Sequence, residues 1–337
     1  VALQELPSTA VTYAATQRRE AAAAISAALR LWRRVGDDFD AGYALIEPQL
    51  LAVLDTAQER ITTNAIAYIP AVLEETGQTR TARAAPRFEV APTTFVGVAG
   101  DGLPTDTLAY QAVIQTKARV AEGLTPAAAR ASGGQFLSLA LGTMFSDTGR
   151  GAEGLASFSR PVTGWVRMLT PPSCGRCVIL GGKHYKFNQG FARHPGCDCR
   201  HVPASENVAG DLTTSPADYL NSLSPDDLRK ALGSKANAQA WNDGADPYQL
   251  INAYRQSGGV RTAQVYGRNV KYTTEGVTRR GYAYRQMSQV RALSTLPAEG
   301  STWRQLTSPR LMPETIYRVA PTKERADQML RDFGWIV

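Results

Sequence analysis

Long apolar runs are missing from this sequence of 337 residues. None approaches the roughly 18 residues that a membrane-spanning helix needs, and the best stretch, 41–54, is broken by Glu47 and Pro48. Missing too is a basic N-terminal segment followed by an apolar core. Glu5 stands where one would begin, so nothing points to secretion, and a soluble protein made in the cytoplasm with no membrane partner is expected. Cysteine and histidine are scarce, at four and three residues. A chain this long can bury about three quarters of its unfolded surface and needs no disulfide scaffold. There is no H-E-x-x-H, no Walker A loop, no G-x-S-x-G and no internal repeat, so no enzymatic constellation is expected.

The composition is that of a globular protein, 43% hydrophobic and 20% charged, long enough for two or three domains. The net charge of +7 is unevenly spread. Residues 1–100 carry 9 Lys and Arg against 11 Asp and Glu, whereas residues 251–310 carry 10 against 2.

Apolar residues at spacings of three and four predict a helix over 8–34, through Val11, Ala15, Ala22, Ile25, Leu29 and Trp32. A second is predicted over 39–75, through Leu45, Leu50, Leu51, Leu54, Ile61, Ile66 and Ile69, with breaks or kinks at Pro48 and Pro70. Two such helices form a stalk or bundle rather than a catalytic domain. Residues 76–106 read as a linker or short strands. Helices follow over 106–122 and 127–145, the second weakened by Gly133 and Gly134. Beyond Arg150 the pattern changes to a strand over 163–170. Short helices are expected at 216–223, 225–232, 236–254, 313–319 and 323–333, and an extended arm or β-ribbon over 256–310. The fold expected is mainly α, with a small β-containing zinc-stabilised core, long N-terminal helices and an extended C-terminal arm. Its parts are an N-terminal helical region (1–105), the core (106–210), and the C-terminal helices with the basic arm (211–337).

All four cysteines and all three histidines fall between Cys174 and His201. The order is Cys174-x2-Cys177, a gap of 16 residues, then His194-x2-Cys197-x-Cys199, with His184 and His201 flanking. A C-x2-C turn aims two thiolates at one tetrahedral ion, and a returning H-x2-C or C-x-C supplies the rest. Cys174 and Cys177 are the first two ligands expected, while His194, Cys197 and Cys199 compete for two places. His184 and His201 are expected at the surface or behind the ligands. Structural zinc suits this mixed sulfur and nitrogen set. A disulfide would be out of place in a reducing cytosol. A zinc deaminase would need an upstream H-x-E, and no histidine precedes Cys174.

Trp165, Val166 and Arg167, then Cys174 and Cys177, an apolar run with glycine, Tyr185, His194, Pro195, Cys197, Cys199 and Pro203 together form a recognisable order. It resembles the Mu F-like minor head proteins of tailed bacteriophages, in the form found in actinobacterial phages. Residues 311–317 and the closing Gly334-Trp335-Ile336 are similar to tails of that group. Asp198 departs from the pattern, where Arg or His is common, and His201 is extra. The resemblance implies a structural virion protein, present in multiple copies within a larger assembly. Its expected partners are the portal protein and the major capsid protein at one capsid vertex, with roles in head assembly and DNA packaging or ejection. Arg255, Arg261, Arg268, Lys271, Arg279, Arg280 and Arg285, interleaved with tyrosines, are expected to contact packaged DNA or a neighbouring protein. The alternative is a zinc-knuckle nucleic-acid-binding protein outside any virion.

Overall fold

The computed structural model describes residues 6–78, 85–160, 164–169, 173–181, 183–186, 199–204, 215–254, 259–265, 267–273, 295–297, 304–306 and 310–336. They are mainly helical with small sheets. The chain divides into two compact units, 1–170 with 183–213 and 171–182 with 214–337. No helix among the described residues is long and apolar enough to cross a membrane.

The first unit is built on four helices, α1 (Ser8–Trp32), α2 (Phe39–Glu75), α3 (Thr105–Ala121) and α4 (Pro126–Phe158). Along α2 the buried residues Ile46, Leu50, Leu54, Ala57, Ile61, Ala65, Ile69 and Val72 recur every three or four positions, a continuous core-facing stripe. Leu45, expected in that stripe, is exposed, and Tyr43 and Ile46 take its place. Neither Pro48 nor Pro70 interrupts α2. Each removes only one backbone donor, and the buried side chains on both sides hold the helix in register. On α1 the buried face is Ala10, Tyr13, Ala14, Ala24, Ala28 and Trp32 rather than the one marked by Val11, Ala15 and Ala22. Small residues let α1 lie close to α2 and α4.

Gly133 and Gly134 have the same cause. A Cβ on Gly133 would lie 2.9 Å from both the Ala112 carbonyl oxygen and Trp32, and closer still to the Thr116 hydroxyl. A Cβ on Gly134 would lie 3.0 Å from Trp32. The glycines are therefore contact points, and α4 runs through them as far as Phe158. Residues 76–106, expected as a linker or strands, contribute a 3-10 turn at Pro92–Phe95 and an isolated bridge between Val98 and Pro104. Gln58 anchors this loop, donating to the Val98 carbonyl (2.8 Å) and accepting from the Gly97 N–H (3.0 Å).

The N-terminus of α1 has no side-chain cap of its own. Glu75, at the far end of α2, supplies one. Its carboxylate accepts the Ser8 N–H (2.7 Å), the Ser8 hydroxyl (2.8 Å), the Thr9 N–H (3.0 Å) and the Thr9 hydroxyl. Desolvation would raise the Glu75 carboxyl, but the bonds from Thr9 and Ser8 outweigh it and hold the pKa at about 2. A folded pKa below the unfolded value near 4.3 gives stability that is complete above about pH 5 and is lost as pH falls toward 2. Glu75→Gln should therefore cost about 1 kcal/mol at neutral pH, as loss of a helix cap does. Thermal unfolding of the two proteins across pH tests this, and their difference should close at the acid end.

A sheet in the order β2 (His184–Lys186), β1 (Gly164–Met168), β3 (Arg200–Pro203) completes the first unit. β1 pairs antiparallel with β3, Trp165 opposite Pro203 and Arg167 opposite His201. Val166, Met168 and Val202 pack among Tyr13, Tyr68, Ile69 and Ala152 of the helices. All five residues of β1 are buried, so neither face of this strand is open to water.

The second unit holds the short helix α5 (Gly175–Gly181) and then α6 (Pro216–Asn221), α7 (Pro225–Leu232), α8 (Lys235–Asn242) and α9 (Pro247–Asn252). The single helix expected over 236–254 is split where Gly244 takes φ +97° and Asp246 caps a new start at Pro247. Ser224 caps α7 and Gly233 ends it in the left-handed region, as its sequence indicates. The ribbon expected in 256–310 is present as a hairpin, β4 (Val260–Val265) and β5 (Arg268–Thr273), with β8 (Arg310–Leu311) alongside. β6 (Thr295–Pro297) and β7 (Arg304–Leu306) form a separate pair. Two closing helices, Pro313–Val319 and Lys323–Asp332, cover a core that includes Leu250, Met312, Ile316, Leu330 and Trp335. Arg310 locks the chain end there. It stacks over Trp335 and donates to the Phe333 (2.8 Å) and Gly334 (3.2 Å) carbonyls, and burial lowers its pKa to about 9.

Candidate metal centre and basic hairpin

Cys174 directly precedes α5, and Cys177 lies in its first turn. The segment is fixed within the second unit. The Tyr219 hydroxyl accepts the Ser173 N–H (2.9 Å), and Arg176 donates to Asn252 (2.8 Å). Gly175 sits so close that a Cβ there would lie 2.5 Å from the Ala231 carbonyl oxygen. The two sulfurs are 3.5 Å apart. A disulfide requires about 2.05 Å, whereas two thiolates on one tetrahedral zinc, at about 2.3 Å each, stand roughly 3.8 Å apart. The spacing of Cys174 and Cys177 thus fits one edge of a metal tetrahedron.

Cys199 is buried in the first unit immediately before β3, and its carbonyl accepts from Arg150 (3.3 Å). His194 and Cys197 lie outside the described residues. Among the described residues no three of His, Cys, Asp and Glu converge as a metal site requires. Strand pairing joins β1 to the chain ending at Pro203.

Neither flanking histidine behaves as a simple surface group. His184 is half-buried, with Nε2 3.0 Å from the Ala204 carbonyl oxygen. His201 is buried and belongs to a polar cluster that sequence reasoning missed. At its centre is Glu153 on α4, with no exposed surface. One carboxylate oxygen accepts the Tyr13 hydroxyl (2.8 Å) and lies 3.9 Å from Arg200 Nε. The other accepts the His201 N–H (3.0 Å) and lies 3.1 Å from His201 Nδ1. Tyr68 stacks on Tyr13 with ring centres 4.2 Å apart and donates to the His201 carbonyl (2.9 Å). Burial alone would raise the Glu153 carboxyl, but His201 and Arg200 outweigh it and keep it charged. Burial and the Glu153 charge push both tyrosines well above their ordinary range. The cluster is buried and ties α1, α2 and α4 to β3.

Of the basic residues singled out in the C-terminal third, Arg255, Arg279, Arg280 and Arg285 lie outside the described residues. Arg261 and Arg268 are exposed on the hairpin. The register sets Arg261 opposite Tyr272 and Arg268 opposite Val265, which puts both arginines on one face. Lys271, opposite Thr262, lies on the other face and pairs with Glu314 at 2.6 Å. Arg261 and Arg268 therefore share one face of the hairpin, and Lys271 stands on the other.

Compared with known proteins, the chain matches no family model, no curated protein and no solved structure.

Proposed function

We propose that this chain is a structural minor head protein of a tailed bacteriophage, Mu F-like in its cysteine-bearing segment, seated at the portal vertex. The observation that carries the reading is the Cys174–Cys177 pair, at metal-sharing distance and following the Trp165-Val166-Arg167 strand in the order the resemblance implies. Cys174 and Cys177 would supply two thiolates to the metal. When bound, zinc supplies cross-linking without redox chemistry. The long helices of the first unit serve as a docking element for the portal or major capsid protein. Arg261 and Arg268 would meet phosphate of the packaged DNA or acids of a neighbouring chain. The role is architectural, with no catalytic residue assigned.

Gold-labelled antibody against the chain tests the placement. Label is expected at a single vertex of particles opened gently enough to expose it. Label spread over all vertices would contradict the proposal.

A further inference from the structure

Between α1 and α4 of the first unit runs an open groove of about 890 Å³. The two helices are antiparallel, since Trp32 donates to the Arg130 carbonyl (3.0 Å) while Tyr13 reaches Glu153. The floor is Leu29, Trp32 and Gly134, and the rim carries Leu139, 55% exposed. The α4 side spans Ala127 to Gly142, about 22 Å at 1.5 Å per residue, or some four helical turns. That side is made largely of small residues, so another backbone could approach it closely. Ile25 and Leu29, which the sequence pattern places on the α1 core face, are only half-buried and border this side.

Charge identifies the occupant. The lining holds two guanidinium groups, Arg33 and Arg130, and no carboxylate. Both lie toward the Trp32 end. Arg130 has one exposed acid, Asp37, at 3.4 Å outside the lining, and Arg33 is exposed. An apolar trough with cations at one end is complementary to a helix with a ridge of large apolar side chains and acids at the matching end.

We propose that this groove seats an amphipathic, acidic-ended helix of another protein. The inference rests on the docking role proposed above and names the chemistry of the docked element.

The test uses the full chain and two fluorescent helix-stapled peptides. Both carry leucines at i, i+4, i+7 and i+11, one with glutamates at one end and the other with lysines there. The acidic peptide should bind at least about tenfold more tightly at low salt, with the advantage shrinking as salt rises. Leu139→Asp should weaken it about tenfold or more. Arg33→Glu should reduce or reverse the charge preference. Both residues are exposed, and circular dichroism of each variant checks that the fold survives. Equal binding of the two peptides, no binding by either, or indifference to Leu139→Asp would overturn the proposal. So would a concentration-dependent dimer that Leu139→Asp dissolves, because a second copy would then be the occupant. Peptide binding can fail while the chain is still found in particles, and the converse also holds, so the two readings fail separately.

Discussion

Replacing Glu153 by alanine should destabilise the first unit by about 3–5 kcal/mol, the usual loss when one partner of a buried ionic group is removed. Glu153 has no exposed surface, and four groups from two distant parts of the chain converge on it: the Tyr13 hydroxyl, the Arg200 guanidinium, and the His201 N–H and imidazole. Without the carboxylate, Arg200 would be a buried cation with no counter-charge from that position, and the Tyr13 hydroxyl would lose its acceptor. Glu153→Gln keeps the shape and loses the charge, so it should fall between wild type and alanine. Tyr13→Phe removes one hydrogen bond and should cost only about 1 kcal/mol. Denaturant unfolding followed by far-ultraviolet circular dichroism measures all three. A loss under about 1 kcal/mol for Glu153→Ala would mean that the cluster does not bear on stability.

The second large effect concerns the metal. The chain purified without chelator should carry about one zinc, and Cys174→Ser with Cys177→Ser should remove it almost entirely. Structural zinc contributes on the order of 10 kcal/mol to the folding of small domains, so the local consequence should be severe. Hydrogen exchange should show α5, which carries Cys177 and follows Cys174, losing protection on chelation, while α1 and α2, held by their own core, keep theirs. Cobalt substitution should give the intense thiolate charge-transfer bands of a tetrahedral site. Zinc-free protein with unchanged exchange on chelator treatment would remove the metal from the account.

Much of the helical framework is written locally. Ser224-Pro225 and Gly233 state both ends of α7 in capping chemistry, and Pro313 and Gly334 state the start of the first closing helix and the end of the second. The face of α1 is less legible. Val11 is bulkier than its neighbours Ala10 and Ala14, yet those alanines turn inward because close approach to neighbouring helices rewards small side chains, and Tyr13 turns inward to stack on Tyr68 and bond to Glu153. Pro48, Pro70, Gly133 and Gly134 read as breaks because local propensity is all a sequence window contains. What overrides it are contacts made only after folding, with Trp32, Ala112 and Thr116 at the two glycines and through the buried stripe of α2 around the two prolines.

The site divides in the same way. The cysteine spacing is visible as a pattern, and the 3.5 Å separation of Cys174 and Cys177 agrees with it. The Glu153 cluster left no such trace. Its members, Tyr13, Tyr68, Glu153, Arg200 and His201, are spread over nearly 190 positions, and nothing in any one stretch marks them as partners. Glu153 itself is followed on α4 only by small and apolar residues, a weak hint of its burial.

The most direct test of the central claim is quantitative mass spectrometry of purified particles, with the portal subunit as the internal standard. The minor head protein proposed here should be present at a molar amount near or below that of the portal. Its absence from intact particles would contradict the account and leave a zinc-dependent nucleic-acid binder as the reading to pursue.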